Sequence, residues 1–148
     1  MNIRFRRMKK DDVPQIVHLE KTIFKDAWTE NHFLAEIENK NISYPCIMQE
    51  GEKIIGYAVV WHFSGELHIS NFAIVAEQRR KGYGQLLLDH ILKKFSAYQE
   101  AFLEVRISNK PAIALYKKNG FEALYVRSAY YEDGEDALVM VNKIRKNI

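Results

Sequence analysis

Between Ser70 and Phe95 the chain changes its hydrophobic period, and it does so across a basic turn that contains two glycines. Ser70-Asn71-Phe72-Ala73-Ile74-Val75 reads as a strand, whereas Leu86, Leu87, Leu88, Ile91, Leu92 and Phe95 recur at helical spacing. Gln78-Arg79-Arg80-Lys81-Gly82-Tyr83-Gly84 lies between them, so a strand is turned directly into a helix. The first turn of such a helix leaves backbone N–H groups unpaired and carries the positive end of the helix dipole, which suits it to a phosphate. Gly82 and Gly84 let the backbone come close to a ligand or take φ > 0, and Arg79, Arg80 and Lys81 add positive charge. Two familiar phosphate turns do not fit. A P-loop needs Gly-Lys-Ser/Thr where this chain has Gly84-Gln85-Leu86, and a dinucleotide fingerprint needs a third glycine where it has Leu87.

Arg79 to Gly84 does follow the R-x-x-G-x-G pattern of the GNAT superfamily, the acetyl-CoA-dependent N-acetyltransferases. A second region agrees. Leu103-Glu104-Val105-Arg106-Ile107-Ser108-Asn109 reads as a strand ending in a polar turn, and Ala112 to Asn119 as a short helix stopped by Gly120. Asn109, Ala112, Tyr116, Gly120 and Phe121 meet the N-x-x-A-x-x-x-Y-x-x-x-G-F pattern of the closing half of a GNAT domain. Glu-Val-Arg before Ser-Asn, the run Ala112-Ile113-Ala114-Leu115-Tyr116, and Arg127-Ser128-Ala129-Tyr130-Tyr131 resemble the ribosomal-protein alanine N-acetyltransferase subfamily. Phe24-Lys25-Asp26-Ala27-Trp28-Thr29 is similar to that subfamily's F-P-x-P-W-[ST] entry but lacks the prolines and carries an extra residue. The resemblance covers nearly the whole chain and is strongest over residues 68 to 131.

Composition narrows the possibilities. A chain of 148 residues with 47% apolar content predicts one domain, residues 1–148, with a full hydrophobic core. Cys46 is the single cysteine, so neither an internal disulfide nor a cysteine zinc cluster is possible. No apolar run approaches the roughly 20 residues of a membrane helix, and no apolar segment follows the early charges Arg4, Arg6 and Arg7. These features predict a cytoplasmic protein that does not enter a membrane. A net charge of +3 with dispersed Lys and Arg argues against direct nucleic-acid binding.

The order of elements predicts an α/β domain with a mixed, mostly antiparallel twisted sheet flanked by helices. Strands are expected over 3–7, 44–49, 53–63, 66–75, 101–107, 121–131 and 137–143. Helices are expected from Asp11-Asp12 with Pro14 in the first turn, from Thr29 as N-cap, over 82–97 and over 109–119. Strands 66–75 and 101–107 flank a helix, which predicts a parallel pair.

Acetyl transfer to an amine needs an unprotonated nucleophile. An N-terminal amine has a pKa near ~7.7–8.0, so a modest base suffices. By spacing alone Glu104 reads first as a strand carboxylate paired with Arg106 on the same face. The resemblance implies that it accepts the proton, with the difficulty that a nearby Arg106 would weaken it as a base. Tyr116 matches the family's acid toward the departing thiolate, against the alternative of a packed helical tyrosine. The resemblance further implies acetyl-CoA contacts at Arg79, Arg80, Lys81, Gly82, Tyr83, Gly84, Gln85, Asn109 and Tyr116, and at the backbone of Phe72, Ala73 and Ile74, where an irregular strand would free an N–H for the thioester oxygen. Trp28, His68, Tyr130 and Tyr131 are the candidate walls of the acceptor cleft, with a satisfied strand histidine as the alternative for His68. Histidines 18, 32, 62, 68 and 90 lack metal-ligand spacing, and the mechanism calls for no metal. Cys46 falls in a predicted core strand, so transfer is expected to be direct.

The acceptor implied by the resemblance is the N-terminal α-amine of a protein, such as a ribosomal protein. A small-molecule amine, such as a polyamine or aminoglycoside, and a non-catalytic CoA-binding module remain the alternatives, in a monomer or weak dimer. Glu132, Asp133, Glu135 and Asp136 surround Gly134 between the last two strands. They read either as a solvated hairpin loop or as a field that steers a basic tail and is screened over about 10 Å at 0.1 M salt.

Overall fold

The computed structural model describes residues 2–143. Seven strands form one sheet: β1 (Ile3–Arg7), β2 (Ser43–Glu50), β3 (Lys53–Phe63), β4 (Glu66–Ile74), β5 (Glu100–Arg106), β6 (Glu122–Arg127) and β7 (Ala137–Lys143). Their order across the sheet is β1-β2-β3-β4-β5-β7-β6. Every neighbouring pair is antiparallel except β4 and β5, which are parallel, as the intervening helix predicts. The described residues also form four α-helices: α1 (Val13–Ile23), α2 (Glu30–Glu38), α3 (Tyr83–Lys94) and α4 (Lys110–Lys118).

The helix starts follow local chemistry. Thr29 caps α2 by accepting from the His32 backbone N–H at 3.2 Å, and Asn109 caps α4 by accepting from the Ala112 N–H at 3.3 Å. Asp11 and Asp12 fall in a short 3-10 turn, and α1 proper begins at Val13 with Pro14 in its first turn.

The sheet is covered on both faces. Leu67, Leu87, Leu88, Ile91, Leu103 and Tyr116 pack on the α3/α4 face, and Ile16, Phe33, Ile47, Tyr57 and Ala73 on the α1/α2 face. β3 is central and buried from Ile54 to Val60, which is why it reads as a nearly continuous apolar run. A one-residue irregularity in a strand exchanges its faces. Asn71 lies opposite Val59 but Ile69 opposite Val60, so Ser70 is an extra residue in β4. Leu67 and Ile69 therefore share the α3/α4 face with Phe72 and Ile74, while Ala73 turns to the α1/α2 face.

The structure shortens one predicted element. β6 stops at Arg127, and Tyr130 and Tyr131 lie in the following loop rather than on the strand. Ala129 takes φ 50° there, a left-handed conformation that ends the extended run, and its N–H is held by Asp136 at 2.8 Å.

Candidate active site

The parallel pairing of β4 and β5 runs only from Glu66 opposite Glu100 to Ile69 opposite Leu103. β4 then continues to Ile74 and β5 to Arg106 with no ladder between them, so the two strands part at the Ser70 bulge and leave facing backbone edges open. Residues 72–74, expected to polarise a carbonyl through the backbone, line one edge of this wedge. The helices that follow the two strands, α3 and α4, start beyond its open end.

The basic turn has the shape the sequence predicts, with a refinement. Gly82 sits at φ 84° just ahead of α3, and an added Cβ would meet nothing within 4 Å, so glycine serves the backbone conformation there. Arg80 is also left-handed, at φ 64°. Gly84 is helical, and a Cβ on it would lie 3.3 Å from the Leu115 side chain, so its role is close packing of α3 on α4. Arg79 donates to the Ile74 carbonyl at 3.3 Å, and Lys81 to the buried Gln78 at 3.3 Å. The Gln85 amide pairs with Asn119 at 2.6 and 3.0 Å, which ties α3 to the end of α4.

Glu104 finds a partner other than the one expected. Its carboxylate meets His68 Nε2 at 3.0 Å through Oε2 and 3.2 Å through Oε1. Both side chains are on the α1/α2 face, since Leu67, Ile69, Leu103 and Val105 take the other. Burial pushes the Glu104 carboxyl up. The hydrogen bond and charge of His68, the charge of Arg127 and a hydrogen bond with Tyr130 outweigh burial and hold it below the usual carboxylate range. Glu104 is thus ionised at neutral pH.

Arg106, the expected partner, points into a different network. It binds Asp26 from the α1–α2 loop, Asp133 at 3.0 Å and Glu135 at 2.8 Å from the β6–β7 loop, and it stacks 4.1 Å over the Tyr131 ring. The acidic run is therefore largely internal. Two of its four members clamp Arg106, and Asp136 holds the Ala129 N–H, which leaves a screened steering field only a minor place in the loop's role.

Tyr116 is buried on the other face of the wedge, its ring 5.8 Å from Phe72 and 5.7 Å from Phe121. Its hydroxyl has no hydrogen-bond partner among the described residues. Burial, with Tyr131 nearby, pushes the phenol well above its ordinary pKa, so it stays protonated and able to donate. Cys46 is fully buried with its thiol pushed up to about 12, which excludes a thiolate carrier at neutral pH.

Trp28 packs against the α1/α2 cluster, and its hydrogen bond and ring contacts go to Glu20, His32 and Phe33 rather than to His68 or Glu104. Its backbone N–H donates to Glu20 at 3.0 Å, and its ring stacks on His32 at 3.7 Å. Glu20 escaped the sequence reading, although an acid amid Ile16, Leu19 and Ile23 was the available signal. It is 1% exposed and also accepts from Tyr57 at 2.6 Å and Asn71 at 3.0 Å. Trp61, whose ring lies 5.4 Å from His68, was missed as well. An open cleft of about 620 Å³ lined by Phe5, Tyr44, His90 and Lys94, among others, shares no residue with the wedge.

A family described as the acetyltransferase (GNAT) family matches residues 13–121 of this chain. The chain belongs to the GNAT acetyltransferase family. An N-alpha-acetyltransferase of Sulfurisphaera tokodaii is 32% identical over 152 residues, covering 93% of this chain and 90% of that protein. The ribosomal protein bS18-alanine N-acetyltransferase of Escherichia coli K12 is 31% identical over 138 residues, covering 90% and 92%. The crystal structure of the Escherichia coli ribosomal-protein alanine N-acetyltransferase superposes with a TM-score of 0.89 at 27% identity, over 99% of this chain and 96% of that one. GNAT enzymes use acetyl-CoA.

Proposed function

We propose that this GNAT acetyltransferase moves an acetyl group from acetyl-CoA to the N-terminal α-amine of a protein, and that a ribosomal protein is the kind of acceptor it serves. The observation that carries the reading is the Glu104–His68 pair, 3.0 Å apart on the α1/α2 face where β4 and β5 separate. The names of its relatives, which act on protein N-termini, support the acceptor class.

The residues fit a coenzyme A thioester. The Gly82 turn offers a left-handed backbone, open space and three cations to a pyrophosphate. The thioester supplies an activated acetyl group. Ionised Glu104, steadied by His68, takes a proton from the acceptor ammonium, directly or through water. The freed nitrogen attacks the thioester carbon; a C–N bond forms and the C–S bond breaks. Backbone N–H groups among Phe72, Ala73 and Ile74, on the open edge of β4, donate to the carbonyl oxygen as it gains charge. Tyr116 donates its proton to the leaving sulfur from the α3/α4 face; of the two protons the ammonium nitrogen gives up, the one taken by Glu104 passes to solvent, and the second, lost once the C–N bond has formed, is balanced by the solvent proton that restores the Tyr116 hydroxyl. The acceptor thus enters from one face of the sheet and coenzyme A leaves toward the other. No step calls on a metal ion, and we take the enzyme to work in the cytoplasm as one domain.

Thiol release tests the acceptor. A peptide with a free N-terminal alanine is expected to release coenzyme A thiol, the same peptide with a blocked N-terminus to release none, and spermidine to release none. Release with spermidine but not with the peptide would overturn the reading in favour of a small-molecule acceptor.

A further inference from the structure

Among the described residues β6 is the last strand of the sheet, with β7 on one side and no strand on the other. All six of its residues are exposed, and Leu124, Tyr125 and Val126, at 52%, 48% and 45%, are consecutive. An open apolar edge is a template for another strand, and its unpaired N–H and C=O groups supply the bonds.

Charge and register together choose the partner. Glu122 stands at one end of β6 and Arg127 at the other, and neither forms an ion pair among the described residues. In an antiparallel pairing of two copies about the Leu124–Tyr125 bond, Glu122 faces Arg127 of the second copy, Ala123 faces Val126 and Leu124 faces Tyr125, each twice. In a regular strand this pairing fails, because residues five apart point to opposite faces. β6 is not regular. Ala123 lies opposite Met140 and Tyr125 opposite Val139, so Leu124 is an extra residue. Glu122, opposite Val141, and Arg127, opposite Ala137, are thereby brought to one face. Bulges and terminal charges usually discourage edge pairing; here they favour a register that is self-complementary.

We propose that β6 is a self-association edge through which two copies of this chain join their sheets in an antiparallel pair, with Glu122 of each facing Arg127 of the other. This association is independent of the acceptor reading above. Arg127 stacks 5.5 Å from the Tyr130 ring and acts on the Glu104 charge, so the test reads mass rather than activity.

Sedimentation equilibrium of the full chain from micromolar to millimolar concentration is expected to show a monomer–dimer equilibrium. Glu122→Arg alone and Arg127→Glu alone each set like charges against one another and should raise the dissociation constant by about tenfold or more. The double swap E122R/R127E rebuilds the pairs with reversed sign and should bring the constant back toward wild type. Monomer at every concentration, a dimer indifferent to both single swaps, or a double swap weaker than either single would overturn the proposal. Circular dichroism of each variant keeps a folding defect from passing for a broken interface.

Discussion

Replacing Glu104 with glutamine keeps the shape of the side chain and one oxygen for His68, but removes the charge and the site that binds a proton. If Glu104 takes the proton from the acceptor, the loss in kcat/KM at neutral pH should lie in the usual range for a general base, about 10²–10⁴-fold, or roughly 3–5.5 kcal/mol. Its pH dependence follows from the structure. His68 and Arg127 hold the carboxyl below its ordinary value, so the wild-type base is ionised well below pH 6 and sets no limb of the profile near neutrality. The acceptor amine does. With a pKa near ~7.7, about 2% of the amine is free at pH 6 and about 95% at pH 9. The penalty of Glu104→Gln should therefore shrink by up to about 50-fold between these pH values, because the solvent takes over the deprotonation. Steady-state kinetics with one Ala-terminated peptide across that range provide the assay. A loss of equal size at every pH would refute the reasoning and make Glu104 a positioning residue.

Tyr116→Phe removes an uncommitted hydroxyl and keeps the ring on Phe72 and Phe121, so kcat should fall while acetyl-CoA affinity and thermal stability stay near wild type; unchanged kcat in a folded variant would remove its catalytic role. Gly82→Val forces a β-branched residue to φ 84° at roughly 1–2 kcal/mol, and calorimetry should show weaker acetyl-CoA binding; equal affinity would move the phosphate turn elsewhere. Glu20→Ala leaves the Tyr57 hydroxyl, the Asn71 amide and the Trp28 backbone N–H without their acceptor, so urea unfolding at pH 7 should show a loss of about 3–5 kcal/mol, and a loss under ~1 kcal/mol would mean the donors find other partners. Burial raises the Glu20 carboxyl, so its stabilising part is complete below the ordinary carboxylate range and declines as pH rises through the raised value; the Glu20→Ala loss should be larger at pH 4 than at pH 8. Asp133→Asn combined with Glu135→Gln leaves Arg106 with Asp26 alone of its three carboxylates and loosens the loop, so the rise in KM should be alike for basic and neutral peptides and persist at high salt; a rise confined to basic peptides at low salt would restore the steering field.

By itself the sequence determined the features that depend on neighbours along the chain. The change of period across the Gly82 turn, the Thr29 and Asn109 caps, β3 from Lys53 to Phe63 and the parallel crossover through α3 were all legible, because caps, glycine conformations and alternation act over a few residues. The motif around Asn109 and Tyr116 was legible for the same reason, and with it the family. Tertiary structure alone decided which charges meet. Arg106 and Glu104 are two residues apart on one strand face, yet Arg106 is drawn to Asp26, Asp133 and Glu135 while Glu104 is left to His68, 36 positions away in the chain. That choice rests on the parallel register that sets His68 opposite Phe102, two positions before Glu104, and elsewhere in the sheet register also sets which face a side chain takes. One extra residue at Ser70 exchanges the faces of β4, one at Leu124 exchanges those of β6, and no local pattern announces either. The acidic run looked like a free field for the same reason, since its cation sits on β5 and reaches the loop only after β5 and β7 have paired.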